Sequence, residues 1–167
     1  MRGPDLAWRA PACAAALLLA ALPLHSHATL GEPEAAVHAQ AQRWGSQVSR
    51  QAPRQAASVG AAAVQVITLS QPDGSTIRQY LNPNGLVFAV AWNTRYKPRL
   101  DELLGGHHGT YAQAARQARQ AAPGARHQAH LRSGDLAVTS QTHLQSHVGR
   151  AWLQSLTPAK FNTDVIR

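Results

Sequence analysis

The sequence predicts an α+β domain with an antiparallel sheet, and three observations carry that prediction. Two turns of the form x-Pro-(Asp/Asn)-Gly, at 71–74 and 82–85, separate runs rich in β-branched and aromatic residues. Residues 98–121 switch to helical spacing, between that block and a second strand-like block. Strand runs on either side of a helical segment suggest a single small domain with its helices segregated from an antiparallel sheet. The expected sheet is built from two β-meanders, at about 62–93 and 126–154, with the helical segment 98–121 between them. An N-terminal helix is expected over 32–45.

The elements follow in order. Pro33 suits a first helical turn, Glu32 and Glu34 suit its positive end, and Val37, Ala41 and Trp44 recur at helical spacing. Gly45 is a natural stop. The stretch 46–60 is polar, alanine-rich and broken by Pro53, so it reads as a linker or loop. Residues 62–69, AAVQVITL, and 75–81, STIRQYL, read as strands around the first turn. In 86–92, Leu86, Phe88, Val90 and Trp92 are expected on one face, and Val87, Ala89 and Ala91 on the other. Both faces are apolar, which predicts a central strand covered on both sides. The large side chains would fill a core, and the small ones would let a helix approach.

Pro98 opens the helical segment. Gly105, Gly106 and Gly109 interrupt it, so a short helix at 98–104 and a second at about 110–121 are expected. Pro123-Gly124 ends it. Strands return at 126–132, 135–141 and 143–154, and 161–166 reads as a last strand or a turn of helix.

The N-terminus reads as a targeting signal. Arg2 and Arg9 give a charged start, 10–24 is apolar, and Ser26-His27-Ala28 supplies small residues at −3 and −1 of a cleavage site. The apolar run falls short of the about 20 residues a membrane span needs. Residues 1–28 are therefore expected to be a signal peptide, 29–61 an N-terminal helix and flexible linker, and 62–167 the α+β domain. The product would be periplasmic or secreted and not an integral membrane protein after cleavage. Cys13, the only cysteine, would leave with the signal, so no disulfide or thiol chemistry is expected.

The chain is basic, with 16 Lys+Arg against 8 Asp+Glu and a net charge of +8. That balance reads first as a solubilising surface charge, and it also favours association with anionic envelope components; another envelope protein is the alternative partner. The arginines are scattered and form no run, and export argues against nucleic acid.

Several short motifs carry a resemblance. Ala28-Thr29-Leu30-Gly31, 85-GLVFAVAW-92, 103-LLGGHHGTY-111, 135-DLAV-138, 149-GRAW-152 and Leu156-Thr157-Pro158 resemble, in order and spacing, the exported bacterial family known as domain of unknown function 2844. The resemblance covers nearly all of the chain after the signal. It implies export and one compact domain, and it brings no established activity, cofactor or catalytic residue. It also implies aromatic residues after the glycine of the 103–111 motif, where this chain has Gly106, His107 and His108.

Chemistry-bearing constellations are sparse. His107, His108, His143 and His147 are the candidates for a metal site, and His143 and His147, four apart, are expected to share a face. His127 and His130 are expected to diverge on a strand. No His-Glu-x-x-His, Gly-x-Ser-x-Gly or phosphate-loop pattern is present. Asp73, Asp101, Glu102 and Asp135 suit turns or helix starts, and of the acidic residues after the signal only Asp164 lacks a structural reason. No catalytic residue and no cofactor is implied. The sequence points to a non-enzymatic binding or structural module of the cell envelope, with Trp92, Arg78, Arg95 and Arg99 as binding-surface candidates. The alternatives are a histidine-based metal- or pH-responsive protein, and a periplasmic hydrolase with no recognisable motif.

Overall fold

The computed structural model describes residues 29–51, 63–121 and 128–167. The expected signal peptide, residues 52–61 of the expected linker, and His127 lie outside the described residues.

The fold is α+β, with one seven-stranded sheet in which every neighbouring pair is antiparallel. The strands are β1 (Gln47–Gln51), β2 (Gln65–Ser70), β3 (Thr76–Leu81), β4 (Val87–Thr94), β5 (Gln128–Ser133), β6 (Leu136–His143) and β7 (Ser146–Leu153). Their spatial order is β1-β2-β3-β4-β7-β6-β5. The α-helices among the described residues are α1 (Glu34–Trp44), α2 (Leu100–Leu104) and α3 (His108–Ala121). After the helices the chain returns with its last strand innermost, so β4 and β7 meet at the centre.

Four expectations of register and element boundaries are corrected. The first concerns β4. Leu81 pairs with Val87 but Tyr80 pairs with Ala89, so Phe88 is the extra residue of a β-bulge. One extra residue reverses the alternation on one side of it. Val87, Val90 and Trp92 therefore join one core, and Phe88, Ala89 and Ala91 join the other.

The second is the expected linker, where residues 47–51 form β1, a strand with all five residues exposed. Backbone pairing with β2 holds it rather than burial, so it carries no hydrophobic pattern to read. The third is the glycine-rich break. A 3-10 turn at Gly105–His107 absorbs it and α3 starts at His108, which puts Gly109 in a first turn whose N–H groups lack intrahelical partners anyway. The fourth is the last hairpin, whose turn is Leu144-Gln145, so His143 belongs to β6 and not to the strand after it.

The two faces of the sheet are covered by different material. Val37 and Ala41 of α1, Leu103 and Leu104 of α2, and Tyr111 and Ala115 of α3 pack with Ile67, Ile77, Leu81, Val90 and Trp92. Leu30 is buried with them. The segment 29–33 is stitched to β4 by the Gly31 N–H donating to the Val87 carbonyl (2.8 Å) and the Val87 N–H donating to the Glu32 carbonyl (2.9 Å). A polar bridge crosses this layer, with Gln79 Nε2 donating to Gln40 Oε1 at 2.7 Å, both residues fully buried. It sets where α1 sits on β3, because a buried amide left without its partner is costly.

The opposite face is covered by the C-terminal segment, not by a helix. Phe161 and Ile166 pack on Val64, Val66, Tyr80, Phe88, Ala89 and Ala91. Tyr80, Phe88 and Phe161 form a triangle of edge-to-face rings, with Phe88 and Phe161 centroids 5.1 Å apart. The small Ala89 and Ala91 leave room for this segment, whose only regular element is a 3-10 turn at Thr163–Val165.

Candidate functional site

Two surface cavities among the described residues are edged by cations. The first, called the groove, has a volume of about 430 Å³. Three pieces of chain build it: the end of α1 (Arg43, Trp44), the β2–β3 turn (Gln71, Pro72, Asp73, Ser75) and the loop after β4 (Tyr96, Lys97, Pro98, Arg99). Ile77 and Thr94 complete its lining.

Each piece is held locally. The β2–β3 turn closes because Gly74 takes φ +84°, a conformation glycine adopts without strain. Asp73 is consumed there, its two carboxylate oxygens accepting from the Ser75 N–H (2.9 Å) and Ser75 Oγ (3.0 Å). Ser75 Oγ also accepts from the Arg95 N–H at 3.1 Å, tying the turn to the loop after β4. Thr94 Oγ1 donates to the Tyr96 carbonyl at 2.7 Å and shapes the same loop. Glu102 of α2 joins two walls, with Oε2 accepting from Trp44 Nε1 (2.9 Å) and Oε1 from Arg99 Nη1 (3.0 Å).

The side chains left facing the groove differ from the rest of the surface. Tyr96 is 67% exposed, a large aromatic that no core claims. Trp44 has its one N–H engaged by Glu102, so what its indole can still offer a ligand is carbon. Lys97 is exposed and has no carboxylate at ion-pair distance among the described residues.

The second cavity, called the trough, has a volume of about 440 Å³ and lies beside the end of the C-terminal segment. Arg78, Arg150 and Arg167 edge it, and Ala91 and Gly149 are among its small residues. Its cations are built into the fold. Arg150 Nη1 donates to the Thr163 carbonyl (2.9 Å) and the Ile166 carbonyl (3.4 Å), and Nη2 lies 3.5 Å from Asp164 Oδ1. The Arg150 guanidinium also sits 5.6 Å from the Trp152 ring centroid. Arg78 Nη1 donates to the main-chain oxygen of Arg167 at 2.5 Å. Asp164 thus acquires, as a partner of Arg150, the structural reason its sequence position did not reveal.

The four binding-surface candidates separate. Trp92 is only 3% exposed and lies against Gly149, its cross-strand neighbour. A Cβ on Gly149 would sit 2.3 Å from Trp92 Cζ2 and 2.8 Å from the Thr139 carbonyl oxygen, so the close fit requires glycine. Arg78 edges the trough, Arg99 edges the groove, and Arg95 is exposed on the loop after β4. The groove residues Trp44, Tyr96, Lys97 and Arg43 escaped the sequence reading. One signal was available: 95-RYKPR-99 holds three cations and an aromatic in five residues, visible once lysine is counted with arginine.

The histidines are dispersed. His143 and His147 stand on facing strands with Thr142 opposite His147 and Ser146 opposite His143, so their side chains point to opposite faces. The expectation that they share a face is corrected by the two-residue turn between them. His147 Nδ1 lies 3.2 Å from Thr142 Oγ1, and His130 Nδ1 lies 3.4 Å from Thr139 Oγ1. His107 belongs to the 3-10 turn near Gly31, and His108 lies beside Tyr111. No group of three or more His, Cys, Asp or Glu that could hold a metal ion occurs among the described residues. Burial raises the Tyr111 phenol above its usual pKa of about 10, with Arg119 opposing. No helix among the described residues is long and apolar enough to cross a membrane.

A seven-stranded antiparallel sheet with helices on one face, a C-terminal segment on the other and a cationic aromatic groove at one end defines a small α+β domain. The chain belongs to the family described as protein of unknown function (DUF2844), whose model matches residues 26–166. No curated protein and no solved structure matches it.

Proposed function

We propose that this protein is an exported binding module of the bacterial cell envelope and that its ligand site is the groove. One observation carries the reading. Tyr96 is a large, exposed aromatic at a cavity that also gathers Trp44 and the cations Arg43, Lys97 and Arg99. Ligand sites are concave, partly apolar and fitted with a few placed polar groups, and this groove meets that description. Its one aliphatic hydroxyl near a carboxylate, Ser75, is buried and already bonded to Asp73 and to the Arg95 N–H. What the groove presents is surface and charge, which suits holding a ligand.

Export rests on the leader-like start, with Arg2 and Arg9 before the apolar run 10–24 and Ser26-His27-Ala28 after it. The family match also begins at residue 26, close to the expected cleavage point. N-terminal sequencing of the protein recovered from a bacterial periplasm is expected to begin at Thr29.

The binding reading is tested by titrating the isotope-labelled protein with soluble envelope fragments: acidic and neutral oligosaccharides, peptidoglycan fragments and phospholipid headgroups. Amide shift changes are expected at 43–44, 71–75 and 94–99. Saturable changes confined to the trough, or to neither cavity, would count against the groove.

A further inference from the structure

Resting on the groove as the binding site, we propose that its ligand is an acidic glycan, a sugar ring carrying a carboxylate. Charge comes first. Arg43, Lys97 and Arg99 stand against Asp73 in the lining, and Asp73 is occupied by Ser75 through both oxygens. Arg99 shares Glu102 with Trp44, whereas no carboxylate among the described residues lies at ion-pair distance from Lys97. Counting Asp73 and Glu102, the groove gathers three cations against two carboxylates, a formal excess of one positive charge, and the Lys97 ammonium is a cation of that set with no paired carboxylate among the described residues. A cationic recess of this kind raises the local concentration of anions.

Shape and surface come second. Trp44 has spent its N–H on Glu102, and Tyr96 projects a ring that is two-thirds exposed, so both offer aromatic carbon. A ligand that uses aromatic carbon and an ammonium together needs an apolar flat side and an anionic group on one scaffold. A pyranose ring with a carboxylate has both. Its hydroxyls would also find Gln71, which lines the groove from the β2–β3 turn. A phosphoglycerol headgroup provides the charge without the ring face, so the aromatic pair favours the glycan. A cavity of about 430 Å³ holds one or two such rings.

The test uses an oligogalacturonate trimer and the same trimer with its carboxylates converted to methyl esters, each titrated calorimetrically into the full chain produced in bacteria. Saturable binding of the acid is expected, weakening as salt rises. The ester should bind about tenfold or more weakly, and Lys97→Gln should weaken the acid by about tenfold. Tyr96→Ala should weaken acid and ester alike. Both variants are checked for an unchanged fold by their amide spectra. If the ester binds at the groove as well as the acid does, the acidic-glycan inference fails while the groove stands as a binding site. Anionic phospholipid vesicles binding where the acid does not would also overturn it. If neither trimer binds, the ligand class is wrong, and the groove is then judged on the fragment titration alone.

Discussion

The groove and the trough are nearly equal in volume and both are edged by cations, yet the trough's arginines fasten a chain segment while the groove keeps a lysine with no carboxylate at ion-pair distance among the described residues. In the trough, Arg150 is fastened to the Thr163 and Ile166 carbonyls and Arg78 to the main-chain oxygen of Arg167. Those cations hold the C-terminal segment against the second face of the sheet. In the groove, Asp73 and Glu102 are spent on shaping the walls, which leaves Lys97 and the Tyr96 ring without a structural task. A basic cavity thus says little by itself about ligands. What matters is whether each cation's donors already have partners.

Mutations test this contrast. The largest effect is expected where the trough meets the core. Gly149→Ala would drive a methyl group into Trp92 and the Thr139 carbonyl, at a cost of about 3 kcal/mol. Urea denaturation measures it, and a midpoint unchanged from the parent would show that the Trp92 packing is not as tight as described.

Arg150→Met comes next. It removes two bonds to main-chain carbonyls and the contact with Trp152, and a loss of about 1–2 kcal/mol is expected. Limited proteolysis should cut within 156–167 sooner than in the parent chain. If that segment is equally protected, Arg150 does not hold it.

Arg78→Ala should cost less than about 1 kcal/mol, because its single partner lies at an exposed position. The smallest effects belong to the groove. Tyr96→Ala and Lys97→Ala should each shift the melting temperature by less than about 2 °C, since neither packs in the core. A large drop for either would assign it to the fold and dissolve the difference between the cavities.

Much of the fold was legible in the chain, and the misses share a cause. The α1 helix could be read because Pro33 and Gly45 punctuate it and Val37 and Ala41 recur at helical spacing. The two Pro-(Asp/Asn)-Gly turns were readable for the same reason, with glycine at φ +84° and +76° after each. Strand β1 was not readable, because an exposed edge strand has no buried face to mark it. The bulge at Phe88 was not readable either. An unbroken apolar run such as Val87–Trp92 reads the same under either register. The candidate site was the least legible part. Of its cations, Arg99 stands out in the sequence, whereas Trp44 reads there as a helix-face residue like any other. Its role depends on Glu102, 58 positions away.

Local residue patterns are enough to give the class of the protein: an α+β chain, basic, punctuated into strands and helices by turn and cap residues, with family motifs spread along it. Those features act over a few residues, through backbone angles and side-chain period, so they can be read in place. Long-range pairing fixes which face each half of β4 serves, what covers the second face of the sheet, and which cations are bound into the fold. These are matters of pairing between residues far apart in the chain. Whether the donors of Arg150 or Lys97 find a partner depends on which carbonyl or carboxylate folding brings alongside.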